Sequence, residues 1–339
     1  MKLYAGIDLH SNNSFISIID ENDNIITKKR VPNDLFTILN LLKPYANQLE
    51  GIVVESTFNW YWLVDGLIEN GFSVRLANTT AIQQYQGIKC TNDDTDATWL
   101  AQMLRLNVLP EGYIYPKEER GVRDLLRKRA QLIHLRTTNI LSIQTIIMRQ
   151  TGNKIKGDDI KNLDPEGLMK ILNNNPEVYL AAKANLRILQ ELSLEIIDIE
   201  KYIKSKVKLR PEFKNLHTVP GIGDILALTI MLETGSISRF KEVGNFSSYC
   251  RCVGSIRLSN GKKKGENNRK NGNLYLAWAF IEAAHYAIRF EPAIKKYYQK
   301  KSKNTKNVVA IKAIAHKLAR ACYYIMRDGV SYDLTKGFK

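Results

Sequence analysis

Short apolar or alternating runs fill the first third of the chain, and longer runs at helical spacing fill the rest. The stretch Leu3–His10 reads as a short buried strand that ends on a carboxylate, Asp8. Ser14–Asp20 alternates, Asn24–Arg30 follows, and the three predict an antiparallel meander. Pro32-Asn-Asp34 then offers an N-terminal cap for an amphipathic helix to about Tyr45, and Gly51–Glu55 is a strand ending on a second carboxylate. A helix over Trp60–Asn70, stopped by Gly71, and a strand over Phe72–Leu76 complete the order βββαβαβα once a helix from Asp93 is added, with Trp99, Leu100, Met103 and Leu104 on its apolar face. Downstream, helices are expected over 122–149 (starting after Gly121 or running through from Lys117), 176–208, 224–233, 274–289 and 308–327. Thr151–Pro165 reads as a polar loop, and no repeat or low-complexity tract is present.

An aspartate in an apolar strand is costly to bury unless a cation or donor meets it, although a strand-end Asp also caps turns. The later acids favour the first reading. Asp93 and Asp96 lie three apart, on one face of the helix that they open. Two strand-end acids, Asp8 and Glu55, with a helical acidic pair are the arrangement by which an RNase H-like nuclease core holds divalent metal. Hard oxygen ligands suit Mg²⁺ or Mn²⁺, and two ions about 3.5–4 Å apart can clamp the attacking and leaving oxygens of a phosphodiester.

The 339 residues suffice for two or three domains, with 44% apolar residues and only nine prolines. Charge sharpens the picture. Residues 1–115 carry a net −5 and the remainder +21; residues 250–339 alone hold 20 basic and 5 acidic side chains. An acidic, metal-seeking first domain beside a basic remainder points to a polyanion partner. The four cysteines have no zinc-like spacing. No signal-peptide pattern and no spanning apolar run is present, so a cytoplasmic protein without membrane partners is expected.

In the basic part, Leu216–Gly223 followed by an apolar helix resembles a helix–hairpin–helix element, in which Gly221 and Gly223 let backbone N–H groups approach a phosphate; a plain helix-joining turn has the same residues. Val253–Gly265 reads as a flexible cationic loop, with Ser255, Ser259, Lys262, Lys263 and Lys264, followed by Arg269 and Lys270. The two long helices would form either a coiled-coil-like hairpin suited to self-association or part of a bundle core.

Ala5-Gly-Ile-Asp8-Leu-His10, Val54-Glu55, Asp93-Asp-Thr-Asp96-Ala97, Val219-Pro-Gly-Ile-Gly223, and Lys270-Asn-Gly-Asn273 with Ile281-Glu-Ala-Ala284 occur in an order and at separations that resemble the insertion-sequence-110 transposases, including the 1111 group of DEDD transposases. The resemblance covers nearly the whole chain. It implies an α/β plus all-α protein: a RuvC-like (RNase H-like) domain over 1–115, a long coiled-coil-like helical hairpin over 116–210, and a mostly helical transposase domain over 211–339. It implies Asp8, Glu55, Asp93 and Asp96 as metal-binding catalytic acids and Ser259, in Ser-Asn-Gly261, as nucleophile. It further implies a recombinase programmed by a non-coding bridge RNA that pairs with target and donor DNA, assembled as a dimer or tetramer in which one subunit's acids serve another's serine. The chain departs from the pattern in having Thr91-Asn92 before Asp93, an Asp94 that competes with Asp93 as ligand, and the inserted Lys262–Lys264. Two other classes fit the same residues: a structure-selective RuvC-type nuclease in which water attacks, and a non-catalytic nucleic-acid scaffold whose acids cap strands.

Overall fold

Leu3–Leu9 is buried on both faces, and it forms the inner strand β1 of a six-stranded sheet. Strands β2 (Asn13–Asp20) and β3 (Ile25–Pro32) pair with it as an antiparallel meander, and β4 (Leu49–Glu55) runs parallel on its other side. Next come β5 (Val74–Ala77), parallel to β4, and β6 (Glu111–Gly112), antiparallel at the edge. A two-residue strand has no period to read, so sequence pattern does not reveal it. The computed structural model describes residues 1–82, 93–172, 175–207, 211–254, 256–266 and 271–338, with backbone alone for 93, 94, 207, 256, 257 and 266. These fall into two compact units, one of residues 1–117 and one holding all but four of residues 118–339.

Both faces of the sheet are covered, which is why β1 and β4 are continuous apolar runs rather than alternating ones. Leu3, Ala5, Ile7, Ile52 and Val54 face α1 (Leu35–Leu42) and α2 (Tyr61–Glu69) through Ile38, Leu42, Leu63 and Leu67. Asp34 caps α1 by accepting from Thr37 N at 2.7 Å. After the single turn α3 (Thr79–Ile82), helix α4 (Asp93–Arg105) covers the opposite face, where Val53 and Ala77 meet Leu100 and Met103. At Gly6, β1 supplies no side chain. A Cβ on Gly6 would lie 1.9 Å from Ala97 O and 2.8 Å from Ala101 N, so the backbone of α4 rests directly on the strand.

The second unit is helical. Helix α5 (Lys117–Thr151) runs straight through Gly121, and α8 (Pro176–Val207) packs against it, with Asn185 Nδ2 donating to Ser142 Oγ at 3.0 Å and Arg129 Nε to Glu200 Oε1 at 2.6 Å. Residues 151–165 are not simply a loop: α6 (Gly157–Lys161) lies within them and α7 (Pro165–Ile171) begins at their end. Ile160 and Leu168 fill a small core with Ile143, Ile147, Leu186 and Leu189. The few apolar residues in this otherwise polar stretch do not establish a period.

Helices α9 (Pro211–Leu216), α10 (Asp224–Thr234), α11 (Val243–Tyr249), α12 (Leu274–Phe290), α13 (Pro292–Ser302), α14 (Asn307–Asp328) and α15 (Leu334–Gly337) build the largest core, around Phe246 and Phe280. The expected flexible cationic loop contains a β-hairpin, β7 (Ile256–Ser259) and β8 (Lys262–Glu266). Asn260 and Gly261 both have positive φ, 48° and 70°, as a two-residue type I′ turn requires. Among the described residues no helix is long and apolar enough to cross a membrane.

Gly6→Ala should lower the melting temperature, because the added methyl must push α4 off β1; overpacking of this kind costs about 1–3 kcal/mol or more. Gly121→Ala, with open space around its Cβ on the exposed side of α5, should stabilise the fold by roughly 0.5–1 kcal/mol and raise the melting temperature. Thermal unfolding followed by circular dichroism reads both; a Gly6→Ala protein as stable as the parent would contradict the close contact.

Candidate functional site

The pleat decides where the acids go. Along β1, residues 3, 5, 7 and 9 face α1 and α2, so Gly6 and Asp8 lie on the α4 side. Val53 is on that side too, and Glu55 follows it by two. The parallel register pairs Ile7 with Val54, which makes Asp8 and Glu55 neighbours at the carboxyl ends of β1 and β4. Asp96 precedes Ala97, the residue whose carbonyl sits on Gly6. Three of the four expected acids are thus carried by elements that meet beneath the first turns of α4. Of Asp93 and Asp94 only the backbone is described, at the start of that helix.

Asp8 is 3% exposed, and His10 Nε2 stands 3.2 Å from its Oδ2 without the alignment of a hydrogen bond. The His10 backbone is held by two side chains from separate loops: its carbonyl accepts from Asn33 Nδ2 at 2.8 Å and Asn59 Nδ2 at 3.1 Å. Thr98 Oγ1 donates to Ser17 Oγ at 2.9 Å, and Arg105 grips Asp23 with Nε and Nη2 at 2.8 and 2.7 Å, so α4 is tied to the meander at its middle and at its C-terminal end. Sequence pattern assigns His10 no role, although it lies in the same short stretch as Asp8. By contrast Asp20, another strand-end acid, is spent on a turn. Its carboxylate accepts from Asn24 Nδ2 and from the backbone N–H groups of Asn22 and Asn24, and the Asn24 side chain above all holds it below the usual carboxylate range.

Among the described residues, no three His, Cys, Asp or Glu side chains form a group that could hold a metal ion. The donors on the α4 face are nonetheless hard carboxylate oxygens with one nearly buried member, the chemistry that a divalent cation selects.

In the second unit, Ser259 is the last residue of β7 and pairs with Lys262 across the Asn-Gly turn. Ser259, Asn260, Gly261 and Lys262–Lys264 are all exposed. Ser255, Arg269 and Lys270 lie outside the described residues. Gly221 has a positive φ, 83°, and a Cβ there would come 2.3 Å from Ala283 O and 2.6 Å from Ala287 N. Close packing on α12 therefore accounts for that glycine. Gly223 is the N-cap of α10 in open space, and the next residue, Asp224, pairs with Lys204 and His217 at 3.0 Å each.

The second unit also holds a buried ionic cluster centred on Glu233, which is 1% exposed. Arg127 donates to it through Nε at 2.6 Å and Nη2 at 2.9 Å, Arg123 through Nε at 3.2 Å, and Asn273 through Nδ2 at 2.8 Å. The Asn273 Oδ1 in turn caps α12 by accepting from Tyr275 N and Leu276 N. Gly272, with φ 82°, seats the chain so closely on Tyr249 O that a Cβ would be 2.6 Å away. The Asn-Gly-Asn motif is thus where α5, α10, α11 and α12 are tied together. Burial pushes the Glu233 carboxyl up, but the Arg127 hydrogen bond, the charges of both arginines and the Asn273 hydrogen bond outweigh it and hold it below its ordinary value. The signal for this cluster in sequence is an acid, Glu233, at the far end of the apolar run that follows Asp224 in α10.

A family model described as a transposase, of the DEDD type of IS110 elements, matches residues 5–174, half of the chain. The chain belongs to the IS110 family of transposases. A second model, Transposase IS116/IS110/IS902 family, matches residues 213–299, which include the Pro-Gly-Ile-Gly turn, the hairpin and α12. A Coxiella burnetii protein named transposase for insertion sequence element IS1111A is 22% identical over 331 residues, covering 94% of this chain and 84% of that one. An uncharacterized 43.6 kDa protein of insertion element IS110 from Streptomyces coelicolor is 22% identical over 136 residues, 40% of this chain and 34% of that protein.

Glu233→Gln should destabilise this transposase by about 3–5 kcal/mol, since it leaves buried guanidinium charge uncompensated. A carboxyl held low in the fold contributes its stability above the ordinary value of 4.5 and loses it as pH falls through the lowered one. The melting-temperature gap between parent and variant should accordingly be widest near neutrality and close in acid. A gap independent of pH would show that Glu233 is not acting through its charge.

Proposed function

We propose that this IS110-family transposase is a DNA recombinase guided by a bridge RNA, with Asp8, Glu55, Asp93 and Asp96 as its metal-binding acids and Ser259 as its nucleophile. The observation that carries the reading is the side-by-side ending of β1 and β4 on Asp8 and Glu55 beneath the helix that bears Asp96. Those four acids would hold Mg²⁺ or Mn²⁺, which when bound neutralises charge developing on a phosphodiester. The RuvC-like description of the first unit rests on the same acids and on the strand order.

Ser259 sits at the tip of a turn whose two central residues are fixed by positive φ, exposed, with lysines following it. Its Oγ forms an ester with the scissile phosphate as one strand-end hydroxyl leaves, so the DNA ends stay attached to protein until they are exchanged. A serine hydroxyl needs activation. The hairpin sequence has no histidine, and the activation is assigned to the acids of another subunit. Lys262, Lys263 and Lys264 would stabilise the developing charge, and Gly223, at the head of α10, would admit a phosphate to backbone N–H groups. Arg269 and Lys270 belong to the same cationic stretch. Exposed Leu135, Leu141, Leu180, Ile188, Leu194 and Ile197 on α5 and α8 support self-association through the long helices as a dimer or tetramer.

Ser259→Ala should fold, bind RNA and DNA, and give no protein–DNA adduct on denaturing gels, while Ser255→Ala still gives one. Adducts in both single variants would end the serine mechanism here, and cleavage without any adduct in the parent would favour the hydrolytic nuclease instead. Asp96→Asn should lose strand cleavage and keep RNA binding; cleavage at the parental rate would remove Asp96 from the site. Light scattering of the active nucleic-acid complex should give a dimer or larger, and a strict monomer would defeat the shared site.

A further inference from the structure

Residues 292–327 contain ten lysines and arginines and not one acid. Six of the lysines, Lys295, Lys296, Lys300, Lys301, Lys303 and Lys306, lie on α13 and the turn into α14, and all six are exposed. None takes part in an ion pair among the described residues. The helix beneath them is anchored: Ile294 is fully buried, and the Tyr297 ring meets Phe338 edge-on at 5.5 Å. The lysines therefore project from a fixed support rather than from a loose tail.

A face that only keeps the protein in water mixes its charges, and this chain contains such a face for comparison. The long helix α8 carries five basic and five acidic residues. On α13 the one carboxylate, Glu291 at the N-cap, is turned to the backbone N–H of Ala293; the lysines beyond it repel one another, and a polyanion relieves that cost. Lys296, Lys300 and Lys303 follow one another on a single helix face over about 10 Å at 1.5 Å per residue. A duplex presents one phosphate charge about every 1.7 Å of its axis, so several phosphates lie within their reach. The cations are all lysine, and 292–319 has no arginine. Ammonium groups meet phosphates as point charges and lack the planar fork that reads guanine edges.

We propose that the exposed face of α13 and the turn into α14 form a docking surface for the phosphate backbone of duplex DNA, independent of base sequence. It rests on the reading of this chain as a DNA recombinase and adds a surface separate from the Ser259 hairpin, one that would hold the duplex while chemistry proceeds elsewhere.

The test uses the full chain with its co-purifying RNA and two DNA duplexes of unrelated sequence, with affinity read by fluorescence anisotropy across a salt series. K296Q/K300Q/K303Q should flatten the log–log slope by about 2.7, at about 0.9 for each phosphate that is no longer neutralised, and equally on both duplexes. Lys300→Gln alone should flatten it by about 0.9, and K296R/K300R/K303R should keep the parental slope. A parental slope in the glutamine variants, a weakening on one sequence only, or a weakening confined to an RNA duplex overturns the proposal. Adduct formation through Ser259, measured on the same samples, reports separately on the recombinase reading.

Discussion

The acid-bearing half of the protein depends on one contact, the backbone of α4 lying on the backbone of β1 at Gly6. A strand and a helix normally meet through side chains, at a distance those side chains set. With glycine in the strand and Ala97 and Ala101 in the helix, the spacer is removed. The first turns of α4 are drawn down to the level of Asp8 and Glu55, and Asp96 comes with them. The rest of the sheet domain keeps this approach in place: the α1–α2 layer fills the far face, Thr98 ties α4 to β2, and Arg105 fixes its end to the meander.

The second unit has its own fixed point in Glu233. Burying a carboxylate is unfavourable unless donors surround it, and here two arginines from α5 and the N-cap residue of α12 do so. The arrangement sets the start of α12. Upstream of that start, the Asn260-Gly261 turn gives Ser259 a defined position at the end of a hairpin, where a flexible loop would have given none.

Charge is divided along the chain to match. The acids carried on β1, β4 and α4 suit cations, while the positive surplus lies in residues that follow, among them the Lys262–Lys270 stretch, α13 and α14. A transposase must bring a polyanion to a cation-binding centre, and a chain with uniformly mixed charge would neither attract the first nor select the second.

Local pattern by itself determined the elements that bear the candidate acids. Apolar runs ending in Asp8 and Glu55, the capping Asp34, and long helical periods all depend on a residue's own burial, which its neighbours in sequence report. The Asn-Gly turn also follows a local rule, although the surrounding lysines mask it and the segment reads as a loop. Tertiary structure decided the rest. Gly221 against α12, the edge strand β6 and the pairing of Glu233 with Arg123 and Arg127 join residues whose partners are distant or whose period is too short to see. Periodicity shows which face of an element is buried, but not what covers it. The choice of partner is made only when the chain closes on itself.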